Sequence, residues 1–384
     1  MNDPAAGFDL APLLGVAGLG LALALAPLAW FWRRRRHAAP AARLRALALL
    51  TLFLCFDLVL LGAFTRLSDS GLGCPDWPGC YGHASPLGAT MHIARAQEAV
   101  PTGPVTHGKA WIEMAHRYAA SAIGILVIAL AVLAIVEWRR RRVDTSPTWA
   151  LATLVWILAQ GAFGALTVTM RLYPAIVTLH LLGGLALLAL LAIQAEAYGP
   201  RRIALSAGLR RGLWAVAGLT IVQAALGGWV STNYAVLACS EFPTCQGRWW
   251  PPMSFDEAFE LARPLGRDGD GGFLPFSALT AIHMTHRLGA LVLLPALLLL
   301  AWRLIARREA DARPWAFALL GIAVWQTASG LGNVLHGWPL VAAVAHTGGA
   351  AALVVVLTFL IVRARARDVV PTMAWPRDPR PLAS

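Results

Sequence analysis

The chain has 384 residues, of which 58% are hydrophobic and 14% are charged. Soluble domains carry about 25% charged residues, so this composition excludes an ordinary soluble protein and indicates one that crosses a membrane several times. The formal net charge is +12. The arginines stand in short clusters between apolar runs, a distribution that is typical of membrane proteins and that argues against nucleic acid as a partner.

Nine apolar segments are long enough to span a bilayer, which takes about 20 residues. In chain order we predict membrane helices at residues 9–32, 44–65, 111–137, 148–168, 174–197, 212–232, 279–302, 314–333 and 340–362. The first segment is too long for a cleavable signal peptide, and it ends at Arg33–Arg36 rather than at an Ala-x-Ala site. The predicted fold class is therefore an all-α polytopic membrane protein.

Basic residues are divided unequally between the two sets of loops. Alternate loops, together with the C-terminal tail, hold 23 of the 32 lysines and arginines, whereas the opposite loops hold seven. Because cytoplasmic loops carry the excess of Lys and Arg, we predict the N-terminus outside and the C-terminus in the cytoplasm. Two cysteine pairs, Cys74/Cys80 and Cys239/Cys245, then lie outside, where disulfides persist. Cys55, within a helix, is predicted to be a packing residue.

The second half of the chain repeats the first. Residues 61–82 align with 226–247 at an offset of 165, and seven of the 22 positions are identical. The stretch EMAHRYAA (113–120) aligns with HMTHRLGA (283–290) at an offset of 170. A third block aligns at an offset of 166, in which Gln160, Gly164, His180 and Gly183 match Gln326, Gly330, His346 and Gly349. Three collinear blocks indicate an internal duplication.

Each repeat holds four predicted helices, an even number that preserves orientation. The two halves should therefore form four-helix bundles related by an axis along the membrane normal. The predicted divisions are an extra N-terminal helix with a basic cytoplasmic loop (1–43), an N-terminal bundle (44–205), a C-terminal bundle (206–366) and a cytoplasmic tail (367–384).

The repeat selects four of the ten histidines as two equivalent pairs, His116/His286 and His180/His346. Each lies about five to eight residues into a helix entered from outside, which places it about 8–12 Å below the outer surface. Ionisable residues within a membrane are usually functional, and two facing histidines in a helix bundle suit the axial positions of a haem iron. The alternatives are interhelical hydrogen bonds and a zinc or copper site, although zinc would need further ligands.

Charged residues accompany these histidines. Arg117 and Arg287 directly follow two of them, and would either pair with haem propionates or extend to the membrane interface. Glu113 lies three residues before His116 on the same helix face, whereas its counterpart in the second half is His283. This difference predicts two sites with different functions, unless Glu113 is only a carboxylate at a helix end. His283 is interpreted as a polar surface residue or a residue beside the ligands.

Together these motifs resemble one family, haem A synthase (CtaA/Cox15), over about residues 44–362. The resemblance rests on GAFTRLSDSGLGCPDWPGC after the first repeat helix, EMAHR (113–117), TLHLLGG (178–184), HMTHRLG (283–289) and VAHTGG (344–349). The extra N-terminal helix departs from the eight-helix core of that family.

The resemblance implies an oxidoreductase acting on a CH or CH2 group. It would oxidise a methyl substituent of haem O to a formyl group and so give haem A for cytochrome c oxidase. His286 and His346 would ligate a permanent haem b as cofactor. His116 and His180 would bind haem O, the substrate, beside Glu113 as the catalytic residue.

The resemblance also implies a disulfide between Cys74 and Cys80, and with the repeated cysteine pair we predict a second, Cys239–Cys245, in the equivalent loop. The first would lie over the substrate half and serve electron transfer or stability. A bacterial-type inner membrane is the implied location. The implied partners are the lipid bilayer, haem O synthase, cytochrome oxidase assembly proteins and further copies of the chain.

Three other functions fit parts of the sequence. A di-haem b-type cytochrome that passes electrons, for instance from quinol, uses the histidines but gives Glu113 no role. A membrane thiol–disulfide oxidoreductase would use the outer cysteines, but such enzymes usually carry Cys-x-x-Cys, whereas both pairs here are Cys-x5-Cys. A transporter is the general alternative for a duplicated bundle, yet no helix is visibly broken by Gly or Pro near mid-membrane.

Overall fold

The computed structural model describes residues 10–306 and 311–366. Nine of the helices within these ranges are long and apolar enough to cross a membrane. They are α1 (Ala11–Arg35), α2 (Pro40–Leu67), α4 (His107–Arg139), α5 (Thr148–Thr169), α6 (Pro174–Ala197), α7 (Ala207–Thr232), α9 (Phe276–Ala306), α10 (Arg313–Leu335) and α11 (Leu340–Arg363). The prediction of an all-α polytopic membrane protein is confirmed.

Each predicted segment coincides with one of these helices, but most helices are longer than predicted. α4 begins four residues earlier than expected, at His107, and α9 begins three residues earlier, at Phe276. Pro40 and Pro174 stand in the first turns of α2 and α6, where the N–H that proline lacks would have no helical partner. α9 continues through Pro295 without interruption. The predicted cytoplasmic tail, 367–384, lies outside the described residues.

Short elements in the loops were not predicted. Two helices, α3 (Thr90–Ala99) and α8 (Phe255–Ala258), and a 3-10 turn (Ala235–Ala238) lie in the loops that we predict to be outside. At the opposite end, β1 (Ile203–Leu205) pairs in parallel with β2 (Ala364–Ala366). This pairing joins the segment that follows α6 to the segment that follows α11, so it links the ends of the two repeats.

The membrane helices pack as two groups of four. α2, α4, α5 and α6 contact one another in the N-terminal bundle, and α7, α9, α10 and α11 do so in the C-terminal bundle. α2, α6, α7 and α11 form the interface between the bundles. α1 lies outside this arrangement and packs against α4, where Gly20 allows a close approach to Ser121.

Two contacts at the end of the helices that we predict to be outside identify a pseudo-two-fold axis between the halves. Arg66 Nη2 donates to the carbonyl oxygen of Ser231 at 2.7 Å, and the hydroxyl of Tyr234 donates to Asp69. Burial raises the pKa of Tyr234, so its hydroxyl stays protonated and remains a donor. Each pair is separated by 165 residues, the offset of the repeat. Only residues beside a two-fold axis can contact their own counterparts in this way.

Buried ion pairs join the helices at the opposite end. Glu196 of α6 accepts from Arg45 of α2 at 3.2 Å and from Arg363 of α11. Glu137 of α4 accepts from Arg43 at 2.7 Å. Burial of a carboxylate is costly unless it is paired. These arginines were considered above only as signals of membrane orientation, but they also hold the helix ends together.

Candidate functional site

Each of the four predicted histidines is half-buried and lies against a glycine of a neighbouring helix. The contacts are His116 with Gly62, His180 with Gly164, His286 with Gly227 and His346 with Gly330. A Cβ atom at any of these glycines would lie only 2.9–3.4 Å from Cε1 of the ring. A larger side chain would therefore displace the imidazole. The glycines fall within the repeated blocks, but their packing role was not predicted.

His286 and His346 face each other within the C-terminal bundle. Their ring centroids are 6.5 Å apart and their planes are inclined at 82°. Two imidazoles that bind one metal ion through metal–nitrogen bonds of about 2 Å place their centroids about 6 Å apart. The observed separation therefore accommodates an iron between the rings. In the N-terminal bundle, His116 and His180 lie close enough for a charge on one ring to affect the other.

The donor set fits a haem better than a bare metal ion. Across residues 10–306 and 311–366, no group of three or more His, Cys, Asp or Glu side chains is placed to hold a metal. Zinc takes three or four ligands from the protein. A haem iron takes its in-plane ligands from the porphyrin and only its axial ligands from side chains, which is what one histidine pair supplies.

His116 and His286 lie further along their helices than predicted, whereas His180 and His346 lie where they were expected. His116 is the tenth residue of α4 and His286 the eleventh of α9, whereas His180 and His346 are each the seventh residue of their helices, α6 and α11. His116 was expected about five residues into its helix. The difference arises because α4 begins a full turn earlier, in polar sequence that hydropathy does not assign to a membrane helix.

The second ring nitrogen, Nδ1, does not have the same environment in all four histidines. In three rings a polar side chain lies within hydrogen-bond distance of Nδ1: Gln160 Nε2 at 3.1 Å in His180, Gln223 Nε2 at 3.0 Å in His286, and Ser329 Oγ at 2.9 Å in His346. Nδ1 of His116 is buried and has no partner within the described part of the chain. Gln160 was noted as a repeated residue without a role, and Gln223 was not noted.

Glu113 is buried and faces the disulfide loop. One carboxylate oxygen accepts from the backbone N–H of Cys74 at 2.7 Å, and the other accepts from Arg117 at 2.6 Å. His283, at the equivalent position, is also buried, and its Nδ1 lies 2.9 Å from the carbonyl oxygen of Ala235. Both residues thus connect a histidine-bearing helix to the loop that carries a disulfide or lies beside it. The surface position considered for His283 is therefore not where the structure places it.

Arg117 and Arg287 are engaged with the backbone of the same loops. The guanidinium groups donate to carbonyl oxygens of Asp76, Pro78 and Gly79 in the first loop, and of Cys239, Glu241 and Thr244 in the second. Arg117 is only 8% exposed, so it does not extend to the surface. Each arginine holds a loop over a histidine site, and its pairing with propionates stays a prediction.

Both outer loops contain a disulfide, Cys74–Cys80 in the first and Cys239–Cys245 in the second. The second cysteine of each pair exchanges two backbone hydrogen bonds with the residue three positions on, His83 or Arg248. The turn between them has positive φ at both central residues, which favours the glycines at its second position, Gly82 and Gly247. Cys55 is buried as a free thiol in α2.

A family model matches most of the chain. Residues 45–358 match the model COX15-CtaA, which is described as cytochrome oxidase assembly protein. The chain belongs to the COX15-CtaA family. The matched range begins in α2 and covers both bundles, so α1 stands outside it. The predicted resemblance to this family is confirmed.

The chain is also similar to curated proteins, and three of them carry the name Heme A synthase. The protein from Shewanella oneidensis is 39% identical over 312 residues, which cover 80% of this chain and 92% of the relative. The protein from Granulibacter bethesdensis is 30% identical over 335 residues, 81% of this chain and 83% of the relative. The protein from Halalkalibacterium halodurans is 28% identical over 298 residues, 75% of this chain and 86% of the relative.

Proposed function

We propose that the chain is a haem A synthase, a membrane oxidoreductase that converts a methyl substituent of haem O to a formyl group and so produces haem A for cytochrome c oxidase. The observation that carries the proposal is a pair of repeated histidine sites with a buried carboxylate, Glu113, at one and His283 at the other. A protein that only passes electrons between two haems has no need of this difference. Membership in the COX15-CtaA family supports the same function.

The C-terminal site is proposed to hold haem b as a resident cofactor. His286 and His346 supply both axial nitrogens, and the 6.5 Å between their ring centroids suits one iron. Gly227 and Gly330 leave room for the two rings beside the neighbouring helices. When bound, the haem supplies one-electron chemistry that side chains alone do not. The contribution of the chain is to bind it, orient it and exclude water.

The N-terminal site is proposed to bind the substrate, haem O, through His116 and His180. Glu113 lies on the helix of His116, and two donors, Arg117 and the N–H of Cys74, fix its carboxylate. A base would take a proton from water at the reacting carbon. A fixed negative charge would instead stabilise positive charge that develops there. Both oxygens of Glu113 are already engaged, an arrangement that favours the fixed charge.

Two alternative functions can be weighed against the structure. Thiol–disulfide exchange requires access to a sulfur, but the four bridged cysteines are at most 1% exposed. That observation disfavours the thiol–disulfide oxidoreductase. A di-haem cytochrome would use the same four histidines, so it remains the second candidate. It differs from the proposal in leaving haem O unchanged.

The proposed orientation places the N-terminus and both disulfide loops outside. It rests on the arginine-rich loops at the other end of the helices. A reporter that is active only outside should work when fused after residue 90 or 260, and should fail after residue 205 or at the C-terminus. The reverse pattern would contradict the orientation.

The proposed function is tested by the haems that the protein carries. The chain is produced in cells that make haem O but have no other source of haem A, and the haems are extracted, separated by chromatography and identified by mass. Haem b together with haem O and newly formed haem A is the expected composition. Haem b alone in such cells would contradict the proposal and favour the di-haem cytochrome.

A further inference from the structure

A glutamine–glycine pattern accompanies three of the four histidines. The glycine that packs against each of these rings is preceded one helical turn earlier by glutamine, in Gln160/Gly164, Gln223/Gly227 and Gln326/Gly330. The third residue after each histidine is also glycine, Gly183, Gly289 or Gly349. At His116 both positions differ, since Leu58 stands one turn before Gly62 and Ala119 follows three residues after the histidine.

The two positions are coupled by direct contact. A Cβ atom at any of the three glycines that follow a histidine would overlap the amide oxygen of the glutamine opposite. A glutamine in this conformation therefore fits against a glycine on the histidine helix, and a larger residue there would displace its amide. At His116 both members of this pair are replaced, because Leu58 has no amide and the methyl group of Ala119 fills the space that an amide would need.

The amide of Gln223 is placed to hold the ring of His286. Its Nε2 donates to the carbonyl oxygen of His286 at 2.9 Å and lies 3.0 Å from Nδ1 of the ring, while its Oε1 is buried without a partner among the described residues. Iron on Nε2 of the ring leaves the ring proton on Nδ1. A half-turn of the amide would present Oε1 to that proton, and the bond from Nε2 to the carbonyl oxygen of His286 would then be lost. Bonds of this kind fix the tautomer and orientation of a ligand histidine, and their loss weakens metal binding by about 10–100-fold.

We propose that Gln223 is a positioning residue that makes His286 a permanent iron ligand, whereas Leu58 and Ala119 make His116 an exchangeable one. The inference rests on the proposed function, because it assigns the exchange of haem to the N-terminal site. The resident haem is held by two rings whose Nδ1 has a polar side chain beside it. The haem that is bound and released is held on one side by His116, whose Nδ1 has no such neighbour in the described part of the chain.

The two ligands of the N-terminal site differ in the same way. His180 has an amide neighbour, Gln160, whose Nε2 also donates to the carbonyl oxygen of His180 at 2.6 Å. Nδ1 of His116 has no partner in the described part of the chain. The haem therefore parts from His116 first and stays on His180 until it leaves.

Two double variants exchange these features between the sites. Leu58→Gln with Ala119→Gly gives His116 an amide and the space for it, and Gln223→Leu with Gly289→Ala removes both from His286. The full-length chain, purified in detergent with its haems, is mixed with excess apomyoglobin as a haem acceptor, and the haem that remains is identified by extraction over time. Haem b should leave the second variant about 10–100 times faster than the wild type. Haem O and haem A should leave the first variant more slowly by a similar factor.

Two single variants separate positioning from packing. Gln223→Glu keeps an acceptor for the Nδ1 proton, so haem b should be retained, and its midpoint potential should fall because the ligand becomes more basic. Gln223→Leu should raise that potential. Gln326→Leu is the matched control, since Gln326 faces a glycine in the same way while Nδ1 of His346 has Ser329 as its neighbour. It should lose haem b more slowly than Gln223→Leu.

Unchanged loss rates in both double variants would overturn the proposal, and so would equal acceleration in Gln326→Leu and Gln223→Leu. If a double variant does not fold, the potentials of Gln223→Glu and Gln223→Leu decide the matter, because opposite shifts support positioning and identical potentials contradict it. A wild-type chain that holds haem b but never haem O or haem A would defeat the proposed function. The Gln223 comparison, which needs only haem b, would still be decided.

Discussion

The N-terminal and C-terminal sites have the same framework and different surroundings. Both have two histidines on diagonal helices, a glycine against each ring, and a disulfide loop held by an arginine. They differ at equivalent positions in Glu113/His283, Leu58/Gln223 and Phe163/Ser329. The shared residues build the framework of both sites, and the different ones set the local charge and the polar contacts of the rings. Two sites with one set of ligands can therefore be given different functions by their neighbours.

Removal of single histidines tests the comparison with the largest expected effect. His286→Ala should abolish retention of haem b, because the iron loses an axial ligand in an apolar pocket. His116→Ala should keep haem b and make no haem A. Haem composition after extraction measures both. If His116→Ala loses haem b while His286→Ala keeps it, the two sites have been assigned the wrong way round.

A control for these variants is His283→Ala. His283 lies on the same helix as His286 and is also removed from solvent, but its Nδ1 lies 2.9 Å from the loop carbonyl oxygen of Ala235. Its replacement should leave haem b in place. Complete loss of haem b from His283→Ala would show that burial of any histidine in α9 is enough to disturb the site.

Substitution of Glu113 should have the next largest effect. Glu113→Gln keeps the shape of the side chain and removes its charge, so haem binding should persist. If about 3 kcal/mol of charge stabilisation is lost, the rate of haem A formation falls by roughly a hundredfold. The rate is followed by chromatography of extracted haems, with attention to any partly oxidised haem that accumulates.

The matched control is His283→Gln at the equivalent position of the other half. It disturbs a buried contact between a ligand helix and a loop without touching the substrate site, so haem A formation should continue. A normal rate in Glu113→Gln would remove the catalytic role of this residue. Equal losses in Glu113→Gln and His283→Gln would indicate that both residues only support their loops.

The disulfides sharpen the comparison through stability. Replacing Cys74 and Cys80 by Ser, or Cys239 and Cys245 by Ser, opens a loop of seven residues and should cost about 2–3 kcal/mol in the chain-entropy model. Thermal unfolding in detergent should therefore shift by a similar amount in both variants. Haem A formation should fall further in the first, because the N–H of Cys74 bonds Glu113. The same activity in both variants would contradict a link between this loop and catalysis.

The smallest expected effect concerns the contact across the pseudo-two-fold axis. Tyr234→Phe removes the hydrogen bond to Asp69 and should lower stability by about 1 kcal/mol. Tyr118→Phe removes a bond of 2.7 Å to the carbonyl oxygen of Ala84 within one half and is the matched control. Hydrogen exchange should increase at the bundle interface only in Tyr234→Phe. An identical exchange pattern in both variants would show that this contact does not hold the halves together.

Hydropathy and the repeat predicted the parts of the fold that depend on local sequence. The nine membrane helices follow from apolar runs, and the four histidines at the sites follow from alignment of the two halves. The helix start at His107 was missed because the first turn of α4 contains His107 and Lys109, and α9 begins three residues before the predicted start. The short pairing of Ile203–Leu205 with Ala364–Ala366 joins segments far apart in the chain, and no local pattern indicates it.

The surroundings of the histidines were harder to predict, because they depend on contacts between distant residues. The bond between Glu113 and Cys74 spans 39 positions, and Arg117 reaches several carbonyl oxygens of the same loop. Their charges predicted that Glu113 and Arg117 face a haem. In the structure, backbone N–H and carbonyl groups of the loop bind the same side chains. Gln223 was missed because comparison of repeats highlights identity, whereas its importance lies in having Leu58 as its counterpart.

The contacts on the pseudo-two-fold axis bear on how such a chain could evolve. In a homodimer of a single repeat, a residue on the axis meets its own copy, so position 66 would bring arginine against arginine and position 69 aspartate against aspartate. In the fused chain the guanidinium of Arg66 donates to the backbone carbonyl oxygen of Ser231, and Asp69 accepts from the hydroxyl of Tyr234. Gene fusion thus gave every symmetric position two independent residues. Under the proposed function, the same freedom would let two copies of one binding site differ, so that one keeps its haem and the other exchanges it.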